Sequence, residues 1–217
     1  MKVLFVGDTH GNIELVNIAI EKAIKHKCSK IIQVGDFGFF PNLYPKFINE
    51  LKSSIPFYFI DGNHDDHFNL NHDSDKILSL EELGYSTQNF FYIPRGFKVR
   101  WGSSNLLFIG GAHSPDYKYR MIGIDWWPNE EINFKQYNRA SSYEEIDIII
   151  SHECPRNPFI NYPKDISSSS IENLVNLYKP LYLFHGHHHF KYSYLFNLTN
   201  IVGLGCSIDN MFYLFDI

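Results

Sequence analysis

The sequence predicts an α/β fold in which two packed mixed sheets are flanked by helices, and three observations carry that expectation. Short apolar runs closed by Gly, Asp or His recur along the chain, helix-patterned segments separate the early runs, and the later runs turn longer, aromatic and alternating. Residues 3–6, 31–34, 57–60, 106–109, 146–150 and 181–184 read as buried strands that need cover on both faces.

After the first run, Val16, Ile20, Ala23 and Ile24 recur at three- and four-residue spacing, the apolar stripe of a helix. A second helix is predicted over 44–52, which makes the opening β-α-β-α-β, the pattern of a parallel sheet. From about residue 90 the texture changes: 90–93, a Pro94-Arg95-Gly96 turn and 97–101 read as a hairpin. Serine and proline richness over 157–170 marks a surface loop, and Ser169 with Glu172 three residues on reads as a capping box opening a helix that Pro180 stops. The segments 192–198, 200–204 and 211–215, around Asn and Gly turns, complete a second, partly antiparallel sheet.

A length of 217 residues is compatible with one domain, 1–217, and no linker-like stretch or internal repeat divides it. With 44% hydrophobic and 20% charged residues the chain can bury a sizeable core. The net charge of -5, without any block of like charge, argues against an extended grip on a nucleic-acid backbone. Three scattered cysteines, Cys28, Cys154 and Cys206, do not make a disulfide framework. With no secretory leader and no apolar run of spanning length, the expectation is a cytoplasmic protein that does not enter a membrane.

The chemistry sits where the runs end. Gly7-Asp8-Thr9-His10-Gly11, Gly35-Asp36-Phe37-Gly38, Gly62-Asn63-His64-Asp65, Ser151-His152-Glu153-Cys154-Pro155 and Gly186-His187-His188-His189 each follow an apolar run. Groups just beyond the carboxyl ends of strands converge on one crevice, so these side chains can meet despite their separation. Oxygen and nitrogen donors without an obligatory thiolate suit Mn, Fe, Zn or Co.

These blocks resemble those of the calcineurin-like metallophosphoesterase superfamily, and in detail its small bacterial and phage-type members. The resemblance spans residues 8 to 189 and implies a four-layer αββα sandwich. It further implies that Asp8, His10 and His189 bind one metal ion, that Asn63, His152 and His187 bind a second, and that Asp36 bridges the two. His64, with Asp36 the expected catalytic pair, would contact the phosphate and assist the leaving oxygen. Two ions about 3.5–4 Å apart can activate a hydroxide and clamp an in-line displacement. The implied activity is hydrolysis of small or nucleotide-type phosphoesters, by phosphatase or phosphodiesterase chemistry.

The chain departs from the protein serine/threonine phosphatases of the superfamily. It lacks their Asp-Arg-Gly after the bridging Asp, and Asp61-Gly62-Asn63 replaces Arg-Gly-Asn. Lost arginines remove a bidentate phosphate clamp, which demotes a phosphoprotein phosphatase. A non-catalytic scaffold on the same fold is the alternative from another class, opposed by the completeness of the ligand set. Residues 112–131 form a candidate recognition loop in which Arg120 restores the clamp and Trp126 or Trp127 stacks on a base or aryl group; against this stands a reading of both tryptophans as anchors. The tryptophans keep a nuclease acting on short substrates in view. His26, His67, His72 and His113 stay unassigned, His185 and His188 are candidates to orient the ligands, and Cys154 is read as a packed thiol.

Overall fold

The structure, a computed structural model, describes residues 1–43, 45–159 and 165–217. The first part holds β1 (Lys2–Val6), α1 (Ile13–Lys25), β2 (Lys30–Gln33), α2 (Pro45–Glu50), β3 (Lys52–Phe59), β4 (Leu78–Ser79) and β5 (Gln88–Tyr92). The second holds β6 (Phe97–Trp101), β7 (Ser104–Ile109), α3 (Phe134–Ala140), β8 (Ile148–Ser151), α4 (Ile166–Tyr178), β9 (Tyr182–His185), β10 (Tyr192–Phe196), β11 (Thr199–Gly203) and β12 (Phe212–Asp216). The strands form two mixed six-stranded sheets, ordered β12-β1-β2-β3-β5-β4 and β10-β11-β9-β8-β7-β6.

Period-two alternation sorts the side chains into three apolar layers. On β1, Leu4 and Val6 meet Val16, Ala19 and Ala23 of α1, while Val3 and Phe5 face the second sheet. On β7, Leu106 and Phe108 complete that central layer, and Leu107 and Ile109 face Ile171, Leu174 and Val175 of α4. The result is the expected αββα sandwich. Phe5 stacks on Phe184 across the centre at 3.9 Å between ring centroids. No described helix is long and apolar enough to cross a membrane.

Local sequence explains most boundaries. Asn12 caps α1, its side chain accepting from the Glu14 and Leu15 amides. The two-residue turn between β10 and β11 places Asn197 and Leu198 at φ 46 and 76°, the mirror-image turn that suits a hairpin's twist.

Two expectations are corrected. The segments around Pro94-Arg95-Gly96 are not a hairpin: β5 pairs parallel with β3 in the first sheet, whereas β6 pairs with β7 in the second. The turn is instead the crossover between sheets, because Arg95 is drawn fully into the interior by Asp61. The last long helix starts at Ile166, capped by Asp165 with Ser168 in a capping box, so Ser169 lies inside it. Its first turn thus takes the end of the predicted 157–170 loop, of which 160–164 lie outside the described residues, as does Tyr44 at the start of the predicted second helix.

Candidate metal centre

β1, β2 and β3 run parallel, as do β7, β8 and β9, so their carboxyl ends open side by side. Asp8 and His10 follow β1, Asp36 follows β2, Asn63 and His64 follow β3, His152 follows β8, and His187 and His189 follow β9. All of these turns are tight. His10, Asp36, His187 and His189 adopt φ of 45, 52, 68 and 60°. Left-handed backbone at a non-glycine residue costs on the order of 1–3 kcal/mol and persists only where its surroundings enforce it.

The enforcement is visible. Asp65 accepts the amides of Gly38 and Phe39 at 2.8 and 2.7 Å and that of Gly62 at 2.8 Å, tying the loop after β2 to the loop after β3. Buried Gln33 accepts from the Gly35 amide and donates to the carbonyls of Gly7 and Gly35, tying the loop after β1 to its neighbour. A Cβ on Gly62 would collide with Asp36 Oδ1, and one on Gly186 with Asp8 Oδ1.

Asp8, His10, Asp36 and His189 each offer a donor atom, and all four atoms lie within 4.8 Å of one another. His189 Nε2 is 3.3 Å from Asp8 Oδ2 and 3.0 Å from His10 Nε2, a nitrogen pair that only one proton can share. Asp36 Oδ2 is buried, lies 3.8 Å from His10 Nε2 and has no hydrogen-bond partner among the described residues. An unpartnered buried carboxylate oxygen beside the His10 imidazole fits a cation.

A second set adjoins it. His152 Nε2 lies 3.3 Å from Asp36 Oδ1 and 3.2 Å from Asn63 Oδ1. The Val34 carbonyl can only accept, so at 2.9 Å it holds a proton on His152 Nδ1, and Nε2, facing the oxygens of Asp36 and Asn63, is the nitrogen a cation would take. Asn63 is oriented likewise: its amide donates to Ser114 Oγ at 3.0 Å, and Ser114 donates to Glu130 at 2.7 Å. The His187 ring centre is 5.1 Å from that of His152, and its Nε2 lies 3.4 Å from Glu153 Oε2, which frees Nδ1 as the donor. The first set brings four candidate donors within 4.8 Å of one another, and the second places Asn63 and His187 beside His152.

Charge is concentrated here. Burial alone would raise the Asp36 carboxyl, but His152, with His64 and His10 behind it, holds it well below the carboxylate range. Burial opposes a charge on His152, yet Asp36 and Asp8 push it up to about 10. That pull on a proton is one a cation in the same place would answer. Burial lowers His187 to about 4, with Glu153 opposing.

His64 stands at the rim. Its amide donates to Asp36 Oδ1 at 2.7 Å, and Arg120 nitrogens lie 3.4 and 3.2 Å from its two ring nitrogens. A neutral imidazole has one lone pair, so the guanidinium cannot donate to both and lies against the ring. Asp116 Oδ1 steadies Arg120 at 2.8 Å. Burial pushes His64 below its ordinary value, with Asp36 opposing and Arg120 adding to the push.

The loop over 112–131 therefore brings Arg120 to the site, while its tryptophans divide. Trp126 is half-buried against Tyr117, with ring centres 5.5 Å apart. Trp127 is 1% exposed, wedged between Phe40 and His67, so it presents no face to a ligand and takes the anchoring role. Asp61, standing where relatives carry an arginine, turns inward: Arg95 Nε donates to its Oδ2 at 2.8 Å and Tyr92 to its Oδ1 at 2.8 Å. Arg95 also donates to the carbonyls of Asn129, Glu130 and Glu131 at 3.0, 2.8 and 2.7 Å, which pins the far end of the loop. Sequence reasoning passed over Glu153, Ser114, Glu130, Asp65 and Arg95. Glu153 and Asp65 lie inside the donor blocks and Ser114 and Glu130 inside the 112–131 loop, but nothing local signals their partners.

The sequence profile of the calcineurin-like phosphoesterases matches residues 1–191. No curated protein matches in sequence. Among solved structures, TT1561 of Thermus thermophilus superposes with a TM-score of 0.57 at 14% identity, covering 94% of this chain and 88% of that one. GAP50, described as the anchor in the inner membrane complex of Plasmodium, gives 0.57 at 13% identity over 94% and 71% of the two chains. A hypothetical protein from Thermus thermophilus gives 0.53 at 13% over 94% and 76%. At such identities the similarity is one of fold.

Proposed function

The chain belongs to the calcineurin-like phosphoesterase family, and from that premise we propose that it is a dinuclear-metal phosphoesterase acting on small or nucleotide-type phosphoesters. The observation that carries the proposal is the gathering of Asp8, His10, Asp36 and His189 around the unpartnered Asp36 Oδ2. Asp8, His10, Asp36 and His189 would hold one ion, and Asp36, Asn63, His152 and His187 the other. When bound, two divalent ions such as Mn, Fe, Zn or Co supply Lewis acidity, lowering the pKa of water and drawing charge from phosphate oxygens.

The remaining work falls to the chain's own groups. Asp36 reaches both donor sets with its two oxygens, which sets their separation. Arg120 offers a phosphate the fork that the missing arginines supply in relatives. His64, below its ordinary value, takes a proton more readily once a phosphate's negative charge lies beside it, and then returns it to the leaving oxygen. Neutral Asn63 limits the negative charge that faces an anionic substrate.

The chain is read as one domain, since β12 near its end pairs with β1 at its start. A cytoplasmic setting and a small-molecule substrate complete the reading. The same fold serves the Plasmodium protein described as an anchor, so fold does not separate enzyme from scaffold, and the full ligand set favours the enzyme. The test is to strip the protein of metal, restore Mn, Zn, Fe, Ni or Mg, and assay an aryl phosphate monoester, an aryl diester and a nucleotide panel. Metal-dependent hydrolysis is expected; inactivity with every ion on every substrate would favour the scaffold.

A further inference from the structure

Directly behind His187 lies a second cluster that the phosphoesterase reading does not use. Cys154 Sγ is 3.3 Å from His188 Nε2, which is 3.4 Å from Glu153 Oε1. A donor atom from each of Cys154, His185 and His188 lies within 4.8 Å of the others. Cys154 and Glu153 follow β8, His185 ends β9 and His188 follows it, so adjacent strands hold the group together. We propose that Cys154, His185 and His188, with Glu153 as the neighbouring carboxylate, form a separate zinc-type site behind the dinuclear centre.

The spacing suits a tetrahedral ion. With Zn–N near 2.0–2.1 Å and Zn–S near 2.3 Å, ligand atoms around one ion stand about 3.3–3.6 Å apart. The Cys154–His188 edge, 3.3 Å, falls in that range before any adjustment, and Glu153 Oε1 stands 3.4 Å from His188 Nε2 beside the three-donor group. His185 Nδ1 donates to the Gly186 carbonyl at 2.9 Å, so its Nε2 carries the lone pair. That lone pair now faces the Tyr192 hydroxyl at 2.9 Å, itself 3.8 Å from Cys154 Sγ. When an ion takes His185 Nε2, the hydroxyl turns to the sulfur. The thiol proton leaves to solvent, and thiolate plus carboxylate neutralise a dication in a buried setting, where unbalanced charge is costly. One soft sulfur with two imidazoles selects zinc over magnesium or manganese. Glu153 joins the two centres, because its other oxygen holds His187 Nε2 at 3.4 Å.

Sulfur makes the test specific, since the donors proposed for the dinuclear centre are all nitrogen and oxygen. The full chain, stripped of metal and loaded with Co(II), should show a thiolate-to-cobalt charge-transfer band in the near ultraviolet. Asp36→Asn, which disables the dinuclear centre, should keep the band, as should Cys206→Ser. Cys154→Ser should abolish it and bind one zinc fewer per chain than the parent. If Cys154→Ser does not fold, His188→Gln, which keeps the sulfur, should shift the band. Absence of the band from folded parent protein, its survival in Cys154→Ser, an unshifted band in His188→Gln or its loss in Cys206→Ser would overturn the proposal. Failure of the phosphoesterase reading would show as lost hydrolysis with the band intact.

Discussion

Replacing Arg95 by Met tests whether the inward Asp61–Arg95 pair holds the loop that carries Arg120. Both side chains are fully buried, so removing the guanidinium leaves a carboxylate in the interior with the Tyr92 hydroxyl as its remaining close donor. Breaking a buried pair in this way costs about 3–5 kcal/mol. For a chain of this size that lowers Tm by roughly 6–20 °C, at about 2–4 °C per kcal/mol. The pH dependence has a definite sign. Burial would raise the Asp61 carboxyl, but Arg95, with His72 and His67, holds it well below its ordinary 3.8. In the parent the pair's stabilisation is thus fully present above that value and lost as pH falls through the folded-state pKa. Without Arg95, burial dominates and raises Asp61, so the variant recovers stability as pH falls and the deficit at pH 7 narrows by pH 5. Urea melts of Arg95→Met, Asp61→Asn and the double variant at both pH values measure this. The double variant should lose well under the sum of the single losses. Additivity within about 0.5 kcal/mol, the behaviour of independent sites, would refute the reasoning.

Asp36→Asn removes the carboxylate both donor sets share; metal analysis should show loss from at least one set and most turnover should vanish, while full metal content with normal activity would sink the dinuclear assignment. His64→Ala should keep its metal and slow hydrolysis about 10²–10⁴-fold. That deficit should shrink for substrates with good leaving groups, and an equal loss across leaving groups would assign His64 to binding. Arg120→Ala should raise KM with metal content and Tm unchanged, whereas Trp127→Ala should cost the stability of a buried aromatic, about 3–5 kcal/mol, and lower Tm accordingly, with ordinary kinetics in the folded fraction. The reverse pattern would exchange their roles.

What the sequence determined by itself was the part of the molecule written in local pattern. Short apolar runs such as residues 3–6 and 106–109 already read as strands covered on both faces, while which side chain meets which layer was settled only by the packed sheets. The donor blocks were legible because each strand end must point its next few residues into the crevice, so Asp8, Asp36, Asn63, His152 and His187 could be named before any distance was known. Tertiary structure alone decided the rest. Residues 90–101 pattern like a hairpin, yet β5 and β6 part into different sheets, since a long-range ion pair to Asp61 outweighs the local turn preference. Trp126 and Trp127 are neighbours with the same chemistry, and only packing against Phe40 and His67 makes the second an anchor. Asp61 looked like a lost clamp because its partner is 34 residues away, and Glu153 looked unremarkable because its partners His187 and His188 arrive on another strand. A hydrogen bond or ion pair between distant segments leaves no period in either, so only the folded chain discloses it.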